Sequence, residues 1–355
     1  MKKLRIAFIG MDHIHVQTIA ADFMKYPEQA EIVGIADYPT YNATQAAYQK
    51  AHNFPKQDLT VWEDYNELLT QKIDIAVVTT NVRDHAACAV EILGMNIHTV
   101  VEKPMAFDLQ DARRMIEAYH NSRAELIINW PIAWFPAFRK AKELYDAGTV
   151  GKLLRVQYRT TTTRGPYPLA AHTEEELRNM WWYQHEKGGG AMRDYTGYGC
   201  VLTTWFVGKP AERVMGIKKN FLQPFCDCED YATFTLDFGD SVGFLEGSWS
   251  TGHGGNLATG PIVYGSEGII VADRYDSWVR VYLDPRLHPD APSPYLAVET
   301  APLADNIAKN VLDFVQNGTP LFEMITADFN LKAMVAFDAG IRSCENGQVE
   351  VCEVP

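Results

Sequence analysis

The stretch "IAFIGMDHIHVQTIAADF", residues 6–23, is the clearest indication of the fold in the sequence. Ile6–Ile9 is a short apolar run typical of a buried strand, Gly10 provides a turn, and helical periodicity follows from about Asp12 to Met24. Doubly wound nucleotide-binding domains begin with this order of strand, glycine turn and helix. A dinucleotide site favours G-x-G-x-x-G at this point, but Asp12 and His15 occupy the second and third glycine positions.

The rest of the first third alternates between the two kinds of segment. The strand-like runs are "EIVGIAD", "IDIAVVTT" and "NIHTVVEKP", and the helix-like ones are "NATQAAYQKAHN", "VWEDYNELLT" and "DHAACAVEILGM". Short apolar runs separated by helices predict a parallel sheet covered on both faces. Right-handed crossovers make this a doubly wound α/β domain, which we assign to residues 1–125.

After residue 125 strand-like runs follow one another directly, among them "YATFTLDFGDSVGFLEGSWS". Ala232, Phe234, Leu236 and Phe238 alternate with polar residues, which predicts an antiparallel sheet with one covered face. Helices are expected at about 138–147, 191–206 and 306–316. Residues 126–355 are therefore predicted to form an α+β domain with a large open, mostly antiparallel sheet, a shape suited to oligomerisation.

Composition narrows the classes of function. The 355 residues carry a formal net charge of −13 with no lysine/arginine block, which argues against nucleic-acid or anionic-membrane partners. The apolar run after the basic N-terminus is too short for a signal peptide, and no stretch reaches membrane-spanning length. We expect a soluble, cytoplasmic protein. Its six scattered cysteines, with one isolated C-x-C at Cys226–Cys228, predict reduced thiols and no metal site.

"HTVVEKPMA" is the sharpest chemical signal. A buried strand that runs into Glu102, Lys103 and Pro104 places a charged pair at its carboxyl end, where open α/β sheets bind ligands. Pro104 restrains Lys103 to extended backbone geometry and permits a cis peptide bond. The alternative is an ordinary surface ion pair at a strand end.

"GGGAMRDYTGYGCV", residues 188–201, is the second signal. The glycines permit close backbone approach, and Asp194 and Tyr198 at i, i+4 would share one face of a helix. A carboxylate beside a phenol is suited to handling a proton. A buried tyrosine whose hydroxyl is satisfied by an aspartate is the alternative.

Taken together, these segments resemble the glucose–fructose oxidoreductase / inositol dehydrogenase (Gfo/Idh/MocA) family, in its tyrosine-containing branch. The resemblance covers essentially the whole chain. The segments that carry it are "IAFIG" with Asp37, "IDIAVVTTN" with His85, "HTVVEKP", "FPAFRKAKELYDAGTVGKLLRVQY", "GGGAMRD", "EDYATFTLDFGD" and "IVYGSEGIIVAD". The family's helix pattern D-x-G-x-H-x-x-D reads "DYTGYGCV" here, with Thr196 for glycine, Tyr198 for histidine and Val201 for the second acid.

The resemblance implies a Rossmann domain that binds NAD or NADP and a second domain that presents a sugar, polyol or related small molecule. It implies hydride transfer between nicotinamide and a hydroxyl or carbonyl, and a homodimer or homotetramer. Lys103, Tyr198 and Asp194 are the implied catalytic residues. The implied cofactor-binding residues are Gly10, Asp12, His13, Ile14, Asp37, Thr80, Asn81, His85, Glu102 and Lys103.

The proposed chemistry needs a proton acceptor, which we expect to be Tyr198 or Lys103. Both side chains have ordinary pKa values near ~10, too high for a base at neutral pH. A protonated Lys103 close to Tyr198 would favour the phenolate, and Asp194 would orient the pair. Asp37 ends the second strand, where an acid binds the adenosine ribose and repels a 2′-phosphate, so we favour NAD over NADP. The alternative for Asp37 is a helix cap.

The loop after Gly10 raises a question about affinity. We expect Asp12 to cap the following helix and the amides of His13 and Ile14 to remain available to a pyrophosphate, helped by a cationic His13. His13 and His15, two residues apart on a helix, would face opposite ways and would not share a metal ion. A non-catalytic sugar- or nucleotide-binding or regulatory protein with a decayed cofactor site is the alternative function.

Overall fold

The computed structural model describes residues 2–38, 59–162, 165–166, 172–252, 260–274, 278–301 and 303–353; the helix expected in "NATQAAYQKAHN" lies outside them. The chain divides into two compact units. The first comprises Met1–Trp130, Asn179–Gly189 and Asp305–Leu331, and the second comprises Pro131–Arg178, Gly190–Ala304 and Lys332–Pro355.

The first unit is built on a parallel sheet. Its described strands are β1 (Leu4–Ile9), β2 (Ala30–Ala36), β3 (Val61–Trp62), β4 (Ile75–Val78), β5 (His98–Glu102) and β6 (Leu126–Asn129), in the spatial order β3-β2-β1-β4-β5-β6. Every neighbouring pair is parallel. Residues of β4 and β6 are buried throughout, as expected of strands covered on both faces. The predicted doubly wound Rossmann topology is confirmed.

The structure corrects two of the helices predicted for the first unit. The described helices of this unit are α1 (Val16–Met24), α2 (Tyr65–Leu69), α3 (His85–Gly94), α4 (Leu109–His120) and α8 (Ile307–Asn317). Helix α1 begins four residues later than Asp12, because the chain first makes a turn. "VWEDYNELLT" is not one helix: Val61–Trp62 joins the sheet, and α2 starts after Asp64, whose carboxylate accepts a bond from Asn66 N at 2.8 Å.

The contacts divide the chain differently from the expected boundary after residue 125. Strand β6 pairs with β5 and is part of the Rossmann sheet, so the first segment of that unit runs to Trp130. Two later segments return to the same unit, and the Trp130 indole donates to Asn330 Oδ1 at 2.5 Å. Such returns join residues far apart in sequence and leave no local signal.

The second unit is built on a large mixed sheet. Its strands are β7 (Leu153–Thr161), β8 (Arg213–Lys219), β9 (Tyr231–Asp237), β10 (Val242–Ser248), β11 (Ile262–Gly265), β12 (Gly268–Val271), β13 (Trp278–Leu283), β14 (Leu296–Glu299) and β15 (Glu350–Val351). The order is β14-β13-β12-β11-β7-β10-β9-β8-β15, and among the described strands of this sheet only β7 and β10 pair in parallel. Ala232, Phe234, Leu236 and Phe238 are buried, which confirms the alternation read from the sequence.

The remaining described helices are α5 (Pro136–Asp146), α6 (Glu174–Arg178), α7 (Gly197–Val207) and α9 (Ala327–Asn346). A π-helical turn, Met192–Thr196, precedes α7. None of the helices in the described ranges is both long enough and apolar enough to cross a bilayer. The six cysteines are free thiols.

Candidate functional site

Gly10 forms the tight turn that the sequence predicts. Its φ is +86°, and its amide donates to the Ala36 carbonyl at 2.7 Å. A Cβ at this position would lie 2.8 Å from Thr80 N and 2.9 Å from Thr80 Cα. Because those are backbone atoms of the loop after β4, they cannot yield easily, and only glycine fits the turn.

Asp12 is not the helix cap that we expected from the sequence. Its Oδ2 accepts bonds from Asn81 N at 2.6 Å and Asn81 Nδ2 at 3.1 Å, and α1 begins only after His15. The amides of Asp12 and His13 both donate to the Thr79 carbonyl at 3.1 Å. The chain therefore bonds across to the loop after β4 before it turns helical, and the expectation of a free His13 amide is wrong.

His13, His15 and Glu102 come together at the carboxyl edge of the sheet. His15 Nδ1 lies 2.8 Å and His13 Nε2 lies 3.9 Å from the same oxygen, Glu102 Oε1. The two imidazole centroids are 4.4 Å apart. The expectation that these histidines face opposite ways is wrong, because both precede α1 and helical geometry does not apply to them.

Two tryptophans enclose His13, which is 1% exposed. The His13 ring centroid lies 4.7 Å from Trp182 and 6.0 Å from Trp181, and the Trp181 indole donates to the Asp12 carbonyl at 2.9 Å. Burial first, and then the nearby His15 and Lys103, hold the pKa of His13 well below its ordinary value. His13 is therefore neutral at pH 7, and it is not the cationic group expected beside a phosphate.

Glu102 and Lys103 are buried, with exposures of 0% and 2%. This burial excludes the alternative of a surface ion pair. Glu102 Oε2 also accepts a bond from Asn129 Nδ2 at 2.8 Å. Burial by itself raises the pKa of Glu102, but His15, Lys103 and the Asn129 bond outweigh it, and the pKa lies below its ordinary value. The pair is a desolvated charge cluster at the end of β5.

The turn after Lys103 is tied to the neighbouring loop. The Lys103–Pro104 peptide is cis. His85 Nδ1 lies 2.9 Å from the Pro104 carbonyl oxygen, and its Nε2 lies 3.2 Å from that of Thr80. Burial is the main cause that lowers the pKa of His85. His85 thus bridges the loop after β4 and the turn after β5.

The other candidates in the first unit lie on the same edge of the sheet. Thr80 and Asn81 are buried in the loop after β4, Ile14 is half-buried, and the half-buried Asp37 directly follows β2. Sequence reasoning missed Asn129, although it ends β6 and so had the same strand-end signal as Glu102. Trp181 and Trp182 are each 2% exposed and pack on His13.

In the second unit, Asp194 and Tyr198 do not lie on one continuous α-helix as expected. Asp194 is in the π-helical turn and Tyr198 is in the first turn of α7, so the i, i+4 rule does not give their relation. Each is 8% exposed, and Asp194 Oδ2 accepts a bond from the Trp249 indole at 3.2 Å. π-turns are frequent at functional sites, which keeps Asp194 a candidate.

Glu229 supports the start of this turn. Its Oε1 accepts a bond from Met192 N at 3.1 Å, and its carbonyl accepts one from Ala191 N at 3.0 Å. Burial raises the pKa of Glu229 to about 7. A Cβ on Gly190, whose φ is +100°, would lie 2.2 Å from Glu229 Oε1, so this glycine permits the close approach predicted for the GGG run.

The residues of the first unit fit a dinucleotide. Gly10 keeps the turn in which the backbone of β1 approaches that of the next loop, and Asp37 stands at the strand end where an adenosine ribose is bound. His13 Nε2 is a buried polar atom with no hydrogen-bond partner among the described residues. The amides of Asp12 and His13 are engaged, so phosphate contacts would come from other groups on this edge.

Comparison with known families gives matches over both units. Residues 4–129 match the oxidoreductase family model with an NAD-binding Rossmann fold, and residues 138–271 match the GFO/IDH/MocA C-terminal domain. NAD is therefore the cofactor type of the first unit.

The curated relatives are distant. The chain is 27% identical over 158 residues to inositol 2-dehydrogenase of Salmonella paratyphi B, a match that spans 43% of each chain. It is 24% identical over 324 residues to myo-inositol 2-dehydrogenase of Thermotoga maritima, over 88% of each. The chain thus spans less than half the length of the first of these relatives.

Solved structures share the fold along the whole chain. Aldose-aldose oxidoreductase from Caulobacter crescentus, complexed with glycerol, has a TM-score of 0.76 at 18% identity and covers 99% of this chain and 100% of its own. The WlbA dehydrogenase from Bordetella pertussis, in complex with NADH and UDP-GlcNAcA, has a TM-score of 0.74 at 20% identity and covers 100% of both. With both of its domains matched by family models, the chain belongs to the Gfo/Idh/MocA oxidoreductase family.

Proposed function

We propose that this protein is an NAD-dependent oxidoreductase that transfers a hydride between nicotinamide and a hydroxyl or carbonyl carbon of a sugar, polyol or related small molecule. The observation that carries this proposal is the buried pair Glu102–Lys103 at the carboxyl end of β5 in a Rossmann sheet. Burying two neighbouring ionisable side chains contributes little to folding, so their position is best explained by chemistry.

The reaction requires that a secondary alcohol lose a hydride to NAD⁺ and a proton to a base, which leaves a carbonyl, NADH and H⁺. Lys103 is the candidate in the first unit that would hold the reacting oxygen or its proton, with its charge balanced by Glu102. Tyr198 is the candidate general acid/base of the second unit, and Asp194 the candidate that orients it. The names of the relatives, which act on inositol or aldoses, support a polyhydroxylated substrate.

Asp37 supports NAD over NADP, because a carboxylate at that strand end repels a 2′-phosphate. We also propose a homo-oligomer formed through the open sheet of the second unit. Exposed apolar side chains on its strands, Ile217, Phe244 and Trp278, support this proposal. Light scattering coupled to gel filtration tests it, and a monomer at micromolar concentration would contradict it.

One observation favours the alternative of a non-catalytic binding or regulatory protein. The amides of Asp12 and His13 donate to Thr79, which leaves fewer groups for a pyrophosphate than an ordinary glycine-rich loop offers. A pyrophosphate site weakened in this way would allow ligand binding without turnover. Kinetics therefore have to separate the two functions.

The test is a panel of sugars and polyols with NAD⁺, followed by absorbance of NADH. We expect turnover on at least one compound, and kcat/KM lower by at least about 100-fold in Lys103→Ala and in Tyr198→Phe. Lys140→Ala, which removes a lysine with a partner one helical turn away, is the control and should retain wild-type kinetics. Full turnover in both Lys103→Ala and Tyr198→Phe would overturn the catalytic assignment.

A further inference from the structure

We infer that His13, His15 and Glu102 form a binding site for a divalent first-row transition ion such as Zn²⁺ or Co²⁺. Each residue offers one ligand atom, and these three atoms lie within 4.8 Å of one another. Two imidazoles and a carboxylate are a recurrent donor set for such ions, whereas Mg²⁺ and Ca²⁺ prefer oxygen ligands. The inference concerns a second ligand of the first unit and does not depend on the proposed hydride transfer.

The burial of His13 favours a bound ion at its Nε2 atom. Its Nε2 is shielded from solvent and has no hydrogen-bond partner among the described residues. A buried polar nitrogen without a partner is unfavourable, and native proteins rarely keep one without a function. This atom lies 3.9 Å from Glu102 Oε1, so an ion between them would give Nε2 the partner that it lacks.

The distances between the ligand atoms also favour a bound metal ion. Ligand atoms about 2.0–2.2 Å from one ion lie roughly 3–3.5 Å from each other. The observed separations from Glu102 Oε1 are 2.8 Å to His15 Nδ1 and 3.9 Å to His13 Nε2. Small rotations of two side chains would therefore complete the site without moving the backbone.

Neighbouring side chains hold two of the proposed ligands, Glu102 and His13, in place. Asn129 Nδ2 holds the second oxygen of Glu102 at 2.8 Å, which fixes the carboxylate and leaves Oε1 for the ion. Trp181 and Trp182 pack against His13. A site with three protein ligands leaves positions open to an oxygen ligand, such as a hydroxyl or carbonyl.

Binding also has an identifiable cost. His15 N donates to His13 Nδ1 at 3.2 Å, and an ion on Nε2 would place the ring proton on Nδ1 and break this long bond. The bond between His15 Nδ1 and Glu102 would be exchanged for two metal–ligand bonds. Lys103, whose charge reaches His13, opposes a second cation and so limits the affinity.

The experiment is a titration of the full chain, freed of metal with EDTA and dialysed, with CoCl₂. We expect one Co²⁺ per chain, visible d–d absorption, and quenching of tryptophan fluorescence because His13 contacts Trp182. ZnCl₂ should displace Co²⁺, and MgCl₂ should not. Because even partners that only orient a ligand are worth about 10- to 100-fold in affinity, His13→Gln and His15→Gln should each weaken Co²⁺ at least about 10-fold.

His288→Gln is the matched control, since it removes a histidine that also pairs with a glutamate, Glu267 at 2.9 Å, but lies in the second unit. It should bind Co²⁺ like the wild type. His15 is partly exposed, so His15→Gln tests the site even where His13→Gln fails to fold. Absence of saturable Co²⁺ and Zn²⁺ binding, or unchanged affinity in His15→Gln, would overturn the inference. Titration of the metal-free protein with NADH tests the proposed function separately.

Discussion

Two buried glutamates, one in each unit, have opposite electrostatic surroundings. Glu102 lies among His15, Lys103 and Asn129, and its pKa is held below the ordinary value. Glu229 is also buried, but its backbone amide bonds and the charges of Lys218 and Arg193 do not outweigh burial, which raises its pKa to about 7. The first unit therefore maintains a charge at its site, whereas the second uses a carboxyl group mainly to hold a turn.

The largest expected effect comes from removal of the charge of Glu102. Glu102→Gln removes the buried carboxylate that lies 2.8 Å from His15 Nδ1, and breaking a buried charge pair in this way costs about 3–5 kcal/mol of unfolding free energy. Urea denaturation at pH 7 measures it. Glu267→Gln, which removes a partly exposed partner of His288, should cost less than about 1 kcal/mol. Equal losses in the two variants would contradict the special status of Glu102.

The next largest effect is expected for Glu229→Gln, which should raise the stability of the protein at pH 8 where Glu102→Gln lowers it. Its folded pKa, about 7, lies above the ordinary value of 4.5, so the ionised form is disfavoured in the folded state. The contribution of Glu229 to wild-type stability should therefore fall between pH 4.5 and pH 7, by up to about 3 kcal/mol, and change little beyond. Glu229→Gln keeps an acceptor for Met192 N and removes this loss, so the variant should be more stable than wild type at pH 8 but not at pH 4.5.

Urea denaturation at the two pH values measures the Glu229 effect. Glu212→Gln, at a mostly exposed carboxylate, is the control and should show the wild-type pH dependence. A Glu229→Gln variant less stable than wild type at pH 8 would show that the carboxylate is stabilised by its surroundings, as in Glu102, and would remove the contrast between the units.

The smallest effect is expected at Asp12, a third buried carboxylate. Asp12→Ala removes the bonds to Asn81 N and Nδ2, and bonds of this charged type are worth about 2 kcal/mol. The melting temperature should fall accordingly, with little change for Asp328→Ala, an exposed residue near His120. An Asp12→Ala protein as stable as wild type would show that the carboxylate does not hold the loop after β4.

The sequence predicted those parts of the fold and site that have local causes. Apolar period and Gly10 identified the opening of the Rossmann domain, and the strand-end position identified Glu102 and Lys103. The pairing of Asp12 with Asn81, 69 residues away, had no local signal, and it moved the start of α1 to Val16. Because α1 starts at Val16, His13 and His15 lie before the helix and both come close to Glu102. The expected start of the helix at Asp12 therefore prevented prediction of this three-residue cluster.

We expect the first unit to bind a nicotinamide dinucleotide despite its altered glycine loop. Titration of the protein with NADH, followed by nicotinamide fluorescence, tests it most directly. We expect saturable binding of one NADH per chain below about 1 mM, the upper range of ordinary KM values, with NADPH bound more weakly because of Asp37. No saturable binding of either dinucleotide at millimolar concentration would contradict this expectation.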